Sequence, residues 1–384
     1  MSDKKFDGLV KYAAEKLDDY VKKTSDDSTK KRSTKVEFKS LEPKEEEKTV
    51  PPPPKLTIKK GTLLDRILGC IYGGIIGDIL GSGIEMKKES FIKSEYGGLE
   101  TIDLTKKLMD KGHATDDTAF TMAIIQDITA FGGISPHSIG ERFYKLFKMG
   151  IRGMGGLTRD VLKVWDTARE LTSFTMQQIA ESVWERSKRQ RAGNGGVMRT
   201  APIGIFAHNS VDTLVDYTAK VCQLTHADPR CINSAVAVSL AVALLLNEQY
   251  TLKTVAEKVN EETGKILHEL RDLKYDALKI DGDDAGFTYT TLRAAFLVFH
   301  MANDFEDGML KMLRKGGDTD TNACVVGQML GARFGLTGIP KLWILLLKTY
   351  PQIIFDVSTF AKKFFEEKTE EVAAPTETAV ETSK

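Results

Sequence analysis

Apolar residues recur at helical spacing from about Thr62 to Phe365, and this periodicity constrains the fold more than any other feature of the chain. Leu63, Leu64, Ile67, Leu68, Ile71 and Ile75 begin one stripe. Ile139, Phe143, Leu146 and Phe147 form a second, and Leu157, Val161, Leu162 and Trp165 a third. Val211, Leu214, Val215, Val221 and Cys222 lead into an apolar run from Ala235 to Leu246, and Leu292, Ala295, Phe296 and Phe299 belong to a late helix. Residues three and four apart share one helix face, so each stripe buries one side of a helix. Alternation with period two is almost absent, and strands are not expected. An all-α domain of roughly 300 residues follows, with about a dozen helices if each runs ~10–14 residues.

The ends read differently. Phe6, Leu9, Val10, Ala13, Leu17, Tyr20 and Val21 predict a short amphipathic helix over 6–23. Thr24 to Lys48 is mostly charged and polar, and Pro51 to Pro54 forms a stiff spacer, so 24–60 reads as a disordered linker. The expected organisation is an extension over 1–60, one domain over 61–366, and a disordered tail over 367–384. Lysine plus arginine equals aspartate plus glutamate at 54 each, which removes the electrostatic footprint of a nucleic-acid partner. Cys70, Cys222, Cys231 and Cys324 form no C-x-x-C pair and sit in apolar patterns, as free thiols of a reducing compartment do. No apolar segment follows the polar N-terminus, so no signal peptide is expected. The Ala235–Leu246 run is broken by Ser239 and too short to span a bilayer. A cytoplasmic or nuclear monomer without membrane contact is the expectation.

Two acidic stretches depart from this pattern. In Lys315-Gly-Gly-Asp-Thr-Asp-Thr321, two glycines precede Asp318, Asp320 and Thr321, and a small-residue helical pattern follows. Thr115-Asp-Asp-Thr118 is nearly its mirror and also opens a helical pattern. Either stretch alone reads as an N-cap. Together they read as two halves of one site for a hard, oxygen-seeking cation such as Mg²⁺ or Mn²⁺.

Three further stretches stand out. Gly77-Asp78 through Gly81 to Glu85 closes a helix that also carries Gly69, Gly73 and Gly74. Each glycine costs about 1 kcal/mol there, so close helix packing or close approach of a ligand is expected. Asp78, inside an apolar stripe, needs a partner if buried. Glu85 reads either as a solvated helix-end acid or as a functional one, and the Gly81-Ser-Gly83 run favours a movable acid. Gly193-Asn-Gly-Gly-Val-Met-Arg199 is a glycine-rich turn that would cradle phosphate if it opens a helix. Thr225-His226 lies between two helical patterns, where a lone histidine is more often structural than functional.

Taken together, the stretch ending at Glu85, TDDT at 115–118, GNGGVMR at 193–199, TH at 225–226, GGDTDT at 316–321 and the tail from Gly331 to Pro340 resemble the ADP-ribosylglycohydrolase family. The resemblance covers about residues 62–350. It implies a single large orthogonal all-α bundle around a central two-metal cleft. It places Thr115, Asp116, Asp117, Asp318, Asp320 and Thr321 at two Mg²⁺ or Mn²⁺ ions. It places Gly193, Asn194, Gly195, Gly196, Met198, Arg199 and His226 at ADP-ribose, with Gly286 and Phe287 on the adenosine side. Glu85, or a metal-site aspartate such as Asp117, would serve as general base or acid. The chain departs from the family at Ser82-Gly83-Ile84, where many members carry proline and an aromatic residue. The implied activity is metal-dependent hydrolysis at the anomeric carbon of the distal ribose, on a modified protein or an ADP-ribosyl small molecule. Serine-, arginine- and acetyl-linked ADP-ribose all stay open. A binding-only member of the same fold is the alternative. Asp-x-Asp is also the nucleophile signature of haloacid dehalogenase phosphohydrolases. That motif wants a hydrophobic strand before it and Thr or Val where this chain has Asn322.

Overall fold

The computed structural model describes residues 50–97, 101–168 and 171–366. The expected 6–23 helix, most of the 24–60 linker and the 367–384 tail lie outside them. Among the described residues there are seventeen α-helices and two strands of two residues each, Lys87–Lys88 and Gly316–Gly317. The fold is all-α. The helices beyond the expected dozen include short ones, such as Ala201–Phe206, Leu252–Ala256 and Lys341–Ile344. Their apolar stripes are too brief to read as periodicity.

Two helices form the centre, Leu63–Ser82 and Thr319–Phe334. The first is buried without interruption from Ile67 to Gly81, the second from Thr319 to Ala332. A helix apolar on every side has to lie inside the core. The two run antiparallel, and glycines spaced four apart set their contact. A Cβ placed on Gly69 would lie 2.4 Å from the Gly331 carbonyl oxygen, and one on Gly73 equally close to that of Gly327. At Gly77 the obstacle is Ala323 O at 2.1 Å, and at Gly81 it is Thr319 O at 2.4 Å. Of the two reasons these glycines could have, close helix packing is the one the structure shows.

The pairing delivers the C-terminal end of the first helix, with Asp78 and Glu85, to the N-terminal end of the second, with Asp318 and Asp320. A third helix, Asp116–Phe131, starts at the same point, and Asp78 ties it there. The Asp78 carboxylate accepts from the Thr115 N–H (2.9 Å), the Thr118 N–H (3.1 Å) and both threonine hydroxyls (2.8 and 2.5 Å). The buried acid in the apolar stripe thus finds its partners in the TDDT stretch.

The Ala235–Leu246 run belongs to a longer helix, Pro229–Leu246, whose first five residues include the polar Arg230 and Asn233. By length and composition it is apolar enough to cross a membrane, contrary to the reading of the run alone, yet 72% of it is buried inside the body. Ser239, which interrupts the run, donates to Thr200 O at 3.1 Å. All four cysteines are buried and free. Within the stretch read as linker, Leu56 and Ile58 pack against the core, so the ordered body begins before residue 60.

Candidate active site

The three helix ends enclose a cleft of about 240 Å³. Five carboxylates line it, Glu85, Asp116, Asp117, Asp318 and Asp320, and among the described residues no lysine or arginine does. A larger, more open hollow of about 460 Å³ lies behind the start of the Asp116–Phe131 helix, lined by Met122, Leu146, Met149 and Ile151. It carries none of the acids. Asp320 is common to two groups whose oxygens all lie within 4.8 Å of one another: Asp78, Asp117 and Asp320, and Glu85, Asp318 and Asp320. Asp117 Oδ1 is buried with no hydrogen-bond partner among the described residues, while its Oδ2 takes the Thr321 hydroxyl at 3.3 Å.

Burial and mutual repulsion act together on these groups. Burial first, then Asp78, raises the Asp116 carboxyl to about 7. Asp117 is pushed well above the carboxylate range by burial and by Asp78 and Asp116, and Asp320 by burial and by Asp117 and Asp318. Glu85, exposed at the rim, is raised by partial desolvation and then by Asp318 and Asp78. Like charges crowded in a dry site favour a proton or a cation. An all-oxygen donor set with an orphaned buried oxygen fits a hard divalent ion. Asp78 differs from the rest, because four hydrogen bonds already occupy its oxygens; it orients Thr115 and the helix start.

Glu85 is held by its chain neighbours. The Met86 N–H donates to Gly317 O at 2.7 Å, and Lys87–Lys88 pairs antiparallel with Gly316–Gly317, directly before Asp318. Glu89 then accepts from the buried Lys315 ammonium at 3.1 Å, which also sits 4.2 Å from the Tyr275 ring centroid. The expectation of a movable acid on a glycine hinge gives way to a different picture. Gly81 is a packing contact, the Ser82 hydroxyl accepts from the His113 N–H at 2.9 Å, and the segment is clasped to the loop that carries the other acids.

The opposite wall comes from two loops joined by backbone pairing. The Asn194 N–H donates to Gly286 O (3.1 Å), and the Thr288 N–H to Ala192 O (2.9 Å). The Asn194 side-chain amide donates to Asp318 Oδ2 at 2.8 Å and so links this wall to the acids. Asn194–Gly196 forms a 3₁₀ turn, and the following helix begins only at Ala201. The glycine-rich turn therefore does not itself open an α-helix, and a helix-end phosphate cradle is not built there. His226 is buried beside Gly195, where an added Cβ would lie 2.9 Å from His226 Cε1.

A sequence profile of the ADP-ribosylglycohydrolase family matches residues 59–372. The chain belongs to that family. It is 22% identical over 287 residues to the ADP-ribosyl-[dinitrogen reductase] glycohydrolase of Rhodospirillum rubrum, covering 73% of this chain and 89% of that protein. It is 23% identical to the ADP-ribosylarginine hydrolase Tri1 of Serratia proteamaculans, over 76% of this chain and 77% of the relative. Similarity to the human ADP-ribosylhydrolase ARH3 is 25%, over 73% and 88%. A solved structure titled an ADP-ribosylglycohydrolase-related protein complex shares the fold, with a TM-score of 0.58 at 21% identity, covering 78% of this chain and 98% of that one.

Against the residues singled out from the sequence, this member of the family gathers Glu85, Asp116, Asp117, Gly193, Asn194, Gly195, Met198, His226, Gly286, Asp318, Asp320 and Thr321 around one cleft. Thr115 is not in its lining, but its hydroxyl, bound to Asp78 at 2.8 Å, lies 3.3 Å from Asp117 Oδ2 at the edge of the acids. Arg199, Gly196 and Phe287 do not line it. Arg199 is fully buried between aromatic rings. Gly196 packs on Cys222, and the Phe287 ring lies under Arg230. Two contributions were not legible in the sequence: the partners of Asp78, and the segment Gly153–Thr158, a short loop and the first turn of the Gly156–Trp165 helix, which brings Gly153, Gly155, Gly156, Leu157 and Thr158 to the cleft. The signal there was a run of glycines between two helices. Gly153 has φ +87°, and a Cβ on it would lie 2.4 Å from Asp116 Oδ1.

Proposed function

We propose that this cleft hydrolyses the bond at the anomeric carbon of the distal ribose, releasing ADP-ribose from a modified protein side chain or an ADP-ribosyl small molecule. The observation that carries the reading is the convergence of five carboxylates, with no lysine or arginine among the described residues of the lining, opposite a loop wall that contains His226. Relatives whose names specify ADP-ribosyl hydrolysis support it. Thr115, Asp116, Asp117, Asp318, Asp320 and Thr321 would hold two Mg²⁺ or Mn²⁺ ions, which would supply binding of ribose hydroxyls and polarisation of a water. The carboxylates favour the oxocarbenium-like charge of the transition state. Asp117 orients the attacking water. Glu85 takes its proton as the water oxygen joins the anomeric carbon, and returns that proton to the departing acceptor atom.

Glu85→Gln keeps the shape and removes the charge, so single-turnover hydrolysis should fall by ~10²–10⁴ with ADP-ribose affinity little changed. Turnover within about twofold of wild type would remove Glu85 from the chemistry and leave it a surface residue.

The ordered body should also act alone. A chain cut to residues 52–366 keeps every cleft residue together with Leu56 and Ile58, and should fold and retain hydrolysis. A further cut to 60 strips those two apolar contacts and should lower stability by about 2 kcal/mol in urea melts. An inactive or unfolded 52–366 fragment would show that the extension or the tail completes the enzyme.

A further inference from the structure

Arg199 is among the largest side chains of the protein that are fully buried. Its guanidinium carbon lies 4.4 Å from the Phe143 ring centroid and 5.0 Å from that of Phe120. Burial lowers its pKa to about 10, which leaves it charged at neutral pH. Of its nitrogens, Nε and Nη1 have no partner among the described residues, while Nη2 donates to Thr225 Oγ1 at 2.7 Å. That oxygen lies 2.8 Å from His226 Nδ1.

Proton accounting along this chain gives one consistent arrangement. A guanidinium only donates, so Thr225 Oγ1 accepts from Arg199. The threonine hydroxyl has one proton, and in this fully buried residue the hydroxyl has no further hydrogen-bond partner among the described residues. If Nδ1 carried a hydrogen and donated it to Thr225, the hydroxyl proton would be stranded in the interior, at a cost of about 1–3 kcal/mol. If the hydroxyl donates to Nδ1, every proton of the link is placed. His226 then carries its hydrogen on Nε2, beside Gly193 and Gly195 at the cleft. Burial, then the nearby Arg199 charge, holds the ring neutral.

We propose that Arg199 is a positioning residue that acts through Thr225 to fix His226 as the neutral Nε2–H tautomer, a single aimed donor for an acceptor oxygen of the substrate. The proposal rests on the reading of the cleft as an ADP-ribose site. It also gives Arg199 a purpose in place of direct substrate contact: a permanent cation behind the wall that never enters it.

The test combines ¹⁵N NMR of the histidine ring in the full chain with calorimetric binding of ADP-ribose and steady-state hydrolysis. Thr225→Ser keeps the hydroxyl, while Thr225→Val replaces it with a methyl of similar size; both should fold even if Arg199→Met does not. Wild type and Thr225→Ser should show Nδ1 unprotonated and Nε2 protonated. Thr225→Val should lose that single tautomer and weaken ADP-ribose binding about tenfold, the scale of one hydrogen bond, with KM following and kcat changing less than about threefold. A wild-type ring protonated on Nδ1 would overturn the proposal. So would a Thr225→Val protein that keeps the wild-type tautomer, or one that changes tautomer and binds ADP-ribose as before. If wild type shows the expected tautomer, dependent on Thr225, yet binds no ADP-ribose, the relay stands and the assignment of the cleft's ligand falls.

Discussion

The Asp320→Asn variant should bind neither Mg²⁺ nor Mn²⁺ and lose on the order of 10³-fold or more in turnover, while its metal-free form melts higher than wild type. Asp320 belongs to both groups of converging oxygens, so its loss cripples each. The gain in stability follows from the raised carboxyls. For Asp116, the folded pKa of about 7 lies above the ordinary value of 3.8. Between those values the folded protein keeps a proton that the unfolded chain has released. Stability therefore falls as pH rises through that window, with the penalty absent below the ordinary value and complete above the folded one. For Asp116 alone the span is on the order of 4 kcal/mol, and Asp117 and Asp320 act in the same direction. Removing the Asp320 charge relieves its neighbours, so the metal-free variant should show a higher melting temperature at pH 8 and a shallower fall from pH 5 to pH 8. In the wild type, added Mn²⁺ should recover most of that loss by binding the folded state. A variant that binds metal like wild type, or melts lower at pH 8, would place the cation elsewhere.

Gly77→Val should be the most destabilising substitution on the glycine face of the Leu63–Ser82 helix, where Gly69, Gly73 and Gly81 each leave 2.4 Å to the nearest backbone atom. A Cβ at this position would lie 2.1 Å from Ala323 O and 2.4 Å from its carbonyl carbon, both backbone atoms of a buried helix. No rotamer change relieves such a contact, so the helices have to part. The expected cost exceeds about 3 kcal/mol, with a drop of roughly 10 °C in melting temperature or outright failure to fold. Separation would also carry Asp78 away from its place beside Asp117 and Asp320, so any folded fraction should have weak metal affinity. Gly133→Ala is the matched control, since nothing lies within 4 Å of its added Cβ. Circular dichroism melts of the two variants decide the matter. A Gly77→Val protein melting within about 2 °C of wild type would mean that the glycine face does not set the helix spacing.

How far the sequence could be read depended on whether a residue's role was local. The stripes through Ile139–Phe147 and Leu157–Trp165 became the Pro136–Met149 and Gly156–Trp165 helices, because helical periodicity is written in neighbours. TDDT and GGDTDT were recognisable for a related reason: acids and threonines beside a helix start form a compact pattern. Asp78 was visible as an oddity, but its task depends on a threonine pair 37 and 40 residues away, reached only through tertiary packing. Arg199 misled by adjacency. It follows Gly195 of the cleft wall by four positions, yet the turn sends its side chain into the core, between Phe120 and Phe143. Gly153, Gly155 and Gly156 carry no chemistry of their own, and a run of glycines between two helices reads equally as an ordinary turn, so the local pattern does not tie it to the acids.

The central claim is that the acidic cleft, loaded with a divalent cation, hydrolyses an ADP-ribosyl bond. It is tested most directly by measuring ADP-ribose release from serine-, arginine- and acetyl-linked ADP-ribosyl substrates, each with Mg²⁺ or Mn²⁺ and again with excess chelator. The account predicts release from at least one substrate with metal and essentially none with chelator. Release from none of the three, by a protein that still binds ADP-ribose, would make this a binding member of the fold. Equal release with chelator would contradict the role given to the carboxylate cluster.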